Sequence, residues 1–166
     1  VGEPGAERYV RAPRDVGEKL VRCLWFDQFF DPDSLATEAG RKVQVLSPGY
    51  WPEGAGPDSS TAEIRFENEG PVRGDVAIHL LASDYARHGH AGDPAYDNLI
   101  LHVVFSNDLA TPCLEAAGRR VPQLALEHHL TEDLTEVVAA LDLDLPRAVM
   151  PGNAGPCCAA LRRRGR

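Results

Sequence analysis

The chain has 166 residues, 43% of them hydrophobic, which is enough for one domain burying roughly two-thirds of its unfolded surface. With 25 acidic against 17 basic residues, the formal charge of −8 excludes a global basic footprint for nonspecific nucleic-acid binding, so any such contact must be local. No apolar run approaches the ~20 residues of a membrane helix and no charged-then-apolar leader opens the chain, so a cytoplasmic protein without membrane contact is expected.

Residues 1–15 mix Gly, Pro and Arg without periodicity and read as a loose N-terminal arm. A single α/β domain is expected over 16–145. Its first element is an amphipathic helix from about Val16, with Leu20, Val21, Leu24, Trp25 and Phe29 at three-and-four spacing, ending near Asp31-Pro32-Asp33. A short strand follows over Val43 to Leu46, then a Gly/Pro-rich loop from Tyr50 to Ser60. Ala62, Ile64 and Phe66 alternate with charged residues, the period-two mark of a strand with one buried face. The turn Asn68-Glu69-Gly70 returns the chain along Val72 to Leu81, which makes a hairpin.

Ser83 is placed to cap a helical turn through Arg87. Leu99 to Phe105 is apolar on both faces and reads as a central, fully covered strand. Val121 to Leu126 reads as a strand that Pro122 would confine to a sheet edge. Thr131 is positioned to cap a helix carrying Leu134, Val137, Val138 and Leu141, and residues 146–166 read as an irregular tail. The fold class expected is α/β (α+β), a mixed central sheet with a β-hairpin and flanking helices.

Polar chemistry concentrates between Ala55 and Asp108, which holds four of the six histidines. Along the second hairpin strand, parity sorts Val76, Ile78 and Leu80 to one face and Asp75, Ala77 and His79 to the other. Asp58 enters from the preceding loop, near enough in topology for its carboxylate to join His79 around a divalent cation, or else to start an Asx turn. His88 and His90 flank Gly89, with Asp84 before and Asp93 after, a cluster suited to a transition metal or to simple Asp–His pairing on a solvated loop. His102 lies inside an apolar strand, where a satisfied core histidine is expected. His128 and His129 read as surface residues.

No GxSxG, Walker loop, dinucleotide-binding glycine pattern or HExxH occurs in the chain. Ser59-Ser60 follow Asp58 without an oxyanion-hole context. Cys23, Cys113, Cys157 and Cys158 lack CxxC spacing, which argues against a zinc knuckle or a disulfide framework. Lysine occurs only at Lys19 and Lys42 beside many arginines, a composition typical of GC-rich bacterial coding.

The ordered set Ala55-Gly56-Pro57-Asp58, Gly74 through His79, Ser83-Asp84-Tyr85, His88-Gly89-His90 and Tyr96-Asp97-Asn98 through Val104 resembles a bacterial domain-of-unknown-function family. That family carries Gly-Pro-Asp, Val-Glu-Ile-His, Ser-Asp-Trp, His-x-His and Leu-His-Val-Val in this order. The likeness covers about Glu18 to Asp108. Family members are longer, so the chain is expected to be a fragment or truncated copy. The Pro-Asp loop and acid-x-basic strand are also similar to the core of PD-(D/E)xK nucleases, with His79 where those enzymes carry lysine. That likeness implies a restriction-endonuclease-like fold in which Asp58 holds Mg²⁺, position 77 adds a carboxylate and His79 orients or deprotonates water. Ala77 breaks the pattern, because a methyl group ligates nothing, and Asp75 is the acid left to compensate. Tyr85 stands where tryptophan is usual.

The reading is therefore a Mg²⁺-dependent nuclease or an inactive relative, with Asp58, Asp75 and His79 catalytic. The metal ligands expected are Asp58, Asp75, His79, Asp84, His88 and His90. Zn²⁺ on His88, His90 and a nearby acid is the alternative ion. A non-catalytic module that binds a protein partner is the alternative function.

Overall fold

The computed structural model describes residues 17–52, 54 and 56–130. The arm over 1–15, the helix expected from Thr131 and the tail lie outside the described residues. Helix α1 (Gly17–Phe26) puts Glu18 in its first turn, where a negative charge suits the exposed N–H groups of a helix start. Leu20, Val21, Cys23, Leu24, Trp25 and Phe26 are buried. The helix ends earlier than its apolar spacing predicts. Gln28 turns left-handed at φ 55°, and Phe29 enters the core from the following turn, its N–H donating to the Leu24 carbonyl at 3.1 Å.

Six strands form one mixed sheet in the order β1-β2-β3-β4-β6-β5: β1 (Val43–Ser47), β2 (Ser59–Phe66), β3 (Pro71–Leu81), β4 (Leu99–Ser106), β5 (Cys113–Ala116) and β6 (Arg119–Ala125). β1, β2 and β3 run as an antiparallel meander, whereas β3, β4 and β6 are parallel neighbours. The expected hairpin is thus β2–β3, and β4 is indeed central. Helix α2 (Asp84–Arg87) and a 3₁₀ turn over Pro94–Tyr96 carry the chain from β3 to β4. Among the described residues no helix is long and apolar enough to cross a membrane.

The two faces of the sheet have different chemistry. Val76, Ile78, Leu101, Val103 and Leu124 pack with the apolar stripe of α1 in the main core. Each fully buried aliphatic side chain of this kind contributes about 1.5–3 kcal/mol. The opposite face holds Ala77, Tyr85, Tyr96, Leu99 and Val121, with His79, His102 and Gln123 buried beside them. The parity assignment for β3 therefore holds.

Two expectations are corrected. β6 is flanked on both sides, by β4 and by β5, in spite of Pro122. Its ladder with β4 starts at Gln123, one residue past the proline. β5 has little signature in the chain: it spans four residues, and the turn that joins it to β6 is signalled only by Ala117-Gly118, both at positive φ. Ser83 makes no side-chain cap on α2; its hydroxyl and amide donate instead to Asp108.

Gly74 is needed where β3 passes the loop before β4. A Cβ there would lie 2.7 Å from the Asn98 carbonyl oxygen and would collide with Ile100. Without one, the Asp75 amide reaches that same carbonyl at 2.9 Å and starts the parallel ladder.

Candidate metal centre

Three imidazoles converge where β3 ends. His79 projects from β3, while His88 and His90 sit on the loop after α2, and one nitrogen of each lies within 4.8 Å of the others. The ring centroids are 5.3 to 5.6 Å apart. His79 is buried, His90 half-buried and His88 exposed, so the cluster opens outward on one side.

The remaining nitrogen of each ring has its own partner. His79 Nδ1 lies 2.9 Å from His102 Nε2, and His102 Nδ1 lies 2.9 Å from Gln123 Oε1. His88 Nδ1 is 3.4 Å from Glu18 Oε1 on α1, and His90 Nε2 is 3.3 Å from the Tyr96 hydroxyl. Tyr96 also stacks on His90 with centroids 4.3 Å apart, and its hydroxyl donates to the Gly56 carbonyl at 3.0 Å. The nitrogens that these contacts leave without a partner are His79 Nε2, His88 Nε2 and His90 Nδ1. Metal-binding histidines characteristically engage their second nitrogen in this way, which fixes both ring orientation and tautomer.

Burial and the neighbouring His102, His90, His88 and Arg22 push His79 down to about 2. Burial pushes His102 down to about 4 against the opposing pull of its Gln123 hydrogen bond. His90 is lowered as well, by burial and by His88. Rings held neutral keep a lone pair at physiological pH, which is the form that ligates a metal.

Acids border the rings. Asp58 Oδ2 accepts the Ile78 amide at 2.8 Å, taking the ladder position that β2 vacates, and Asp58 Oδ1 pairs with Arg22 at 2.5 Å. It makes this β3 contact in place of starting an Asx turn. Burial raises the Asp58 carboxyl in spite of Arg22, and burial likewise raises Glu18 in spite of His88. Arg22 lies over the Trp51 ring, 5.2 Å from its centroid. When ionised, Glu18 and Asp58 against Arg22 leave one net negative charge beside the cluster, a balance that suits a cation.

Of the six ligands expected, His79, His88 and His90 are brought together, and Asp58 borders them. Asp75 is turned elsewhere, its Oδ1 accepting the Thr61 amide at 3.4 Å. Asp84 accepts the Leu81 amide at 3.0 Å and pairs with Arg87 at 3.3 Å. Asp93 caps the 3₁₀ turn through the Ala95 amide, so neither loop acid pairs with a loop histidine. His102 is fully buried and satisfied as expected, yet its partner is a candidate ligand. Of the two surface histidines, His128 is exposed and His129 half-buried.

Glu18, Arg22, Tyr96 and Gln123 were not singled out as site residues. Glu18 and Arg22, four residues apart, share one face of α1 beside its apolar stripe, a legible but weak signal. Gln123 offered none beyond a polar residue in an apolar strand.

The family model described as Protein of unknown function (DUF2851) matches residues 18–145. The chain belongs to the DUF2851 family. No curated protein and no solved structure matches it. The DUF2851 match begins at Glu18, the His88 partner, and takes in every residue of the centre described above.

Proposed function

We propose that this DUF2851 domain is a metal-dependent hydrolase whose ion is a divalent transition metal, of which Zn²⁺ is the representative, held by His79, His88 and His90. The observation that carries the reading is the pairing of three convergent imidazoles with three separate partners on their outer nitrogens. Three nitrogen donors and an open side suit zinc-type ions with one position left for water, whereas Mg²⁺ prefers oxygen donors. Such an ion supplies a bound water acidified to near neutrality. Asp58, whose charge is felt by both His90 and Tyr96, takes the general-base role, with Arg22 as the cation that holds its carboxylate in place.

Phosphodiesters are the substrate class we favour. The order α1-β1-β2-β3-α2-β4, with Asp58 opening β2 and His79 on β3, supports a restriction-endonuclease-like scaffold. Ala77 lies where the second carboxylate of such sites is expected, and nitrogen ligands from the His88–His90 loop replace it in this reading.

The test is metal analysis of purified protein, with hydrolysis of bis(p-nitrophenyl) phosphate and of single- and double-stranded DNA and RNA under Zn²⁺, Mn²⁺ or Mg²⁺. Stoichiometric zinc and a rate abolished by chelation and by H88A are expected. Zinc binding without hydrolysis of any ester would favour the non-catalytic protein-binding module. Absence of metal binding would remove the proposal.

A further inference from the structure

A buried side-chain relay crosses three neighbouring parallel strands behind the centre. His102 of β4 stands opposite Ala77 of β3 and Gln123 of β6, so these three side chains form one row on one face of the sheet. His79 lies one pleat further along β3. Gln123, His102 and His79 are 2%, 0% and 1% exposed. At this degree of burial the side chains are one another's hydrogen-bond partners, so the protons on the row are coupled from ring to ring.

The relay has a direction. A glutamine amide oxygen only accepts, so the nitrogen facing it, His102 Nδ1, carries the proton. His102 is enclosed and has no carboxylate in hydrogen-bond contact, so it holds one proton, and its Nε2 is left as an acceptor. His79 Nδ1 must then donate across the 2.9 Å contact. The lone pair of His79 is thereby placed on Nε2, the nitrogen that the His102 contact leaves open in the three-histidine cluster. The Gln123 amide nitrogen is buried without a partner, so this side chain leaves its own donor unmet while its oxygen meets the ring.

We infer that Gln123 is a positioning residue that, acting through His102, sets the tautomer of His79 and so makes its Nε2 a metal donor. The inference rests on the metal-centre reading for its purpose but not for its test. The opposite amide orientation would reverse each proton and place an N–H on His79 Nε2, which would block coordination.

The experiment uses ¹⁵N-histidine-labelled chain, first without metal and then titrated with Zn²⁺ alone. Long-range ¹H–¹⁵N spectra of the metal-free protein are expected to show His79 protonated at Nδ1 and pyridine-like at Nε2. Q123M keeps the length and apolar packing but removes the acceptor. It should mix the His79 tautomers and weaken Zn²⁺ binding about 10- to 100-fold. Q123E puts a carboxylate against His102 Nδ1, so that ring can hold both protons and donate from Nε2; His79 Nδ1 then accepts, and the His79 proton should move to Nε2. A merely structural role for Gln123 would leave the ring nitrogens of Q123M as in the parent. A His79 protonated at Nε2 in the wild type, or an unchanged nitrogen pattern in Q123M, overturns the inference. Should the wild type bind no Zn²⁺, the functional reading falls while the metal-free spectra still decide this one; should Q123M not fold, the wild-type and Q123E spectra decide it.

Discussion

Asp58 accepts the amide of Ile78 at 2.8 Å, so a loop carboxylate completes the hydrogen bonding of the strand that carries His79. The same carboxylate neutralises Arg22. D58A removes the acceptor for a part-buried N–H and leaves Arg22 only its longer Glu18 contact at 3.6 Å, so it should cost about 1–3 kcal/mol of stability by urea unfolding. D58N retains an acceptor and should cost less. It should still lower any hydrolytic rate by about 10²- to 10⁴-fold, the loss typical of a general base. Equal stability losses in the two variants would show that the Ile78 contact is not what matters.

His88 and His79 should separate metal affinity from folding. The His88 side chain is 39% exposed on a loop, whereas His79 is 1% exposed in the sheet. H88A is expected to weaken zinc binding by more than about 10-fold, the scale on which even indirect partners act, with an unfolding midpoint close to that of the parent. H79A should lose both, because it also strands the buried His102. Calorimetric titration and urea melts on the same samples give the comparison.

Acid should destabilise the metal-free protein early. His102 is held down at about 4 and His79 at about 2, against about 6.5 in the unfolded chain. Both rings therefore contribute stability fully above pH 6.5, and that contribution is lost as pH falls toward those folded values. Each ring adds a slope of up to about 1.4 kcal/mol per pH unit inside its window. The raised carboxyls of Glu18 and Asp58 act in the opposite sense, since the native state holds their protons more firmly. Unfolding free energies between pH 7.5 and 4.5 in chelator, compared with H102Q, isolate the share of the ring. Parallel curves for the two proteins would contradict this account.

G74A should be among the most damaging single-methyl additions in the chain. Its Cβ would press on the Asn98 carbonyl and on Ile100 at the point where β3 and β4 first pair. A cost of about 1–3 kcal/mol is expected from overpacking, read as a lowered melting temperature.

A77E returns a carboxylate to the face that His79 shares, but the methyl group of Ala77 is wholly buried beside Tyr85, Tyr96 and Leu99. The metal-free variant should be destabilised by about 1–3 kcal/mol, from the burial of an acid without a partner. Added Mg²⁺ or Mn²⁺ should recover that stability and raise phosphodiester hydrolysis. A variant indifferent to both ions would separate this domain from the carboxylate-centred nucleases.

Much of the sheet is legible from the chain because its signals are local. Ala62, Ile64 and Phe66 alternate, Asn68-Glu69-Gly70 turns, and Leu99 to Phe105 is apolar throughout, and each gives the strand it predicts. That His88 and His90 can point the same way is legible from their spacing, and the face of β3 that carries His79 from parity; their meeting is not. Nor are the partners. Glu18 is 70 residues from His88 and Gln123 is 21 from His102, so only the α1 packing and the β4–β6 register create those pairs. Asp75 misled because parity gives the face of a strand but not where along it a side chain finds a partner, and the Thr61 amide was nearer.

The alignment of three parallel strands has a consequence for how the protein matures. A one-residue slip of β6 would turn Gln123 to the α1 side and bring a leucine or a proline under His102. Under the proposed metal reading, ion uptake would double as a proofreading signal, since only a chain whose β4–β6 ladder has closed in the right frame sets the His79 ring as the wild type does.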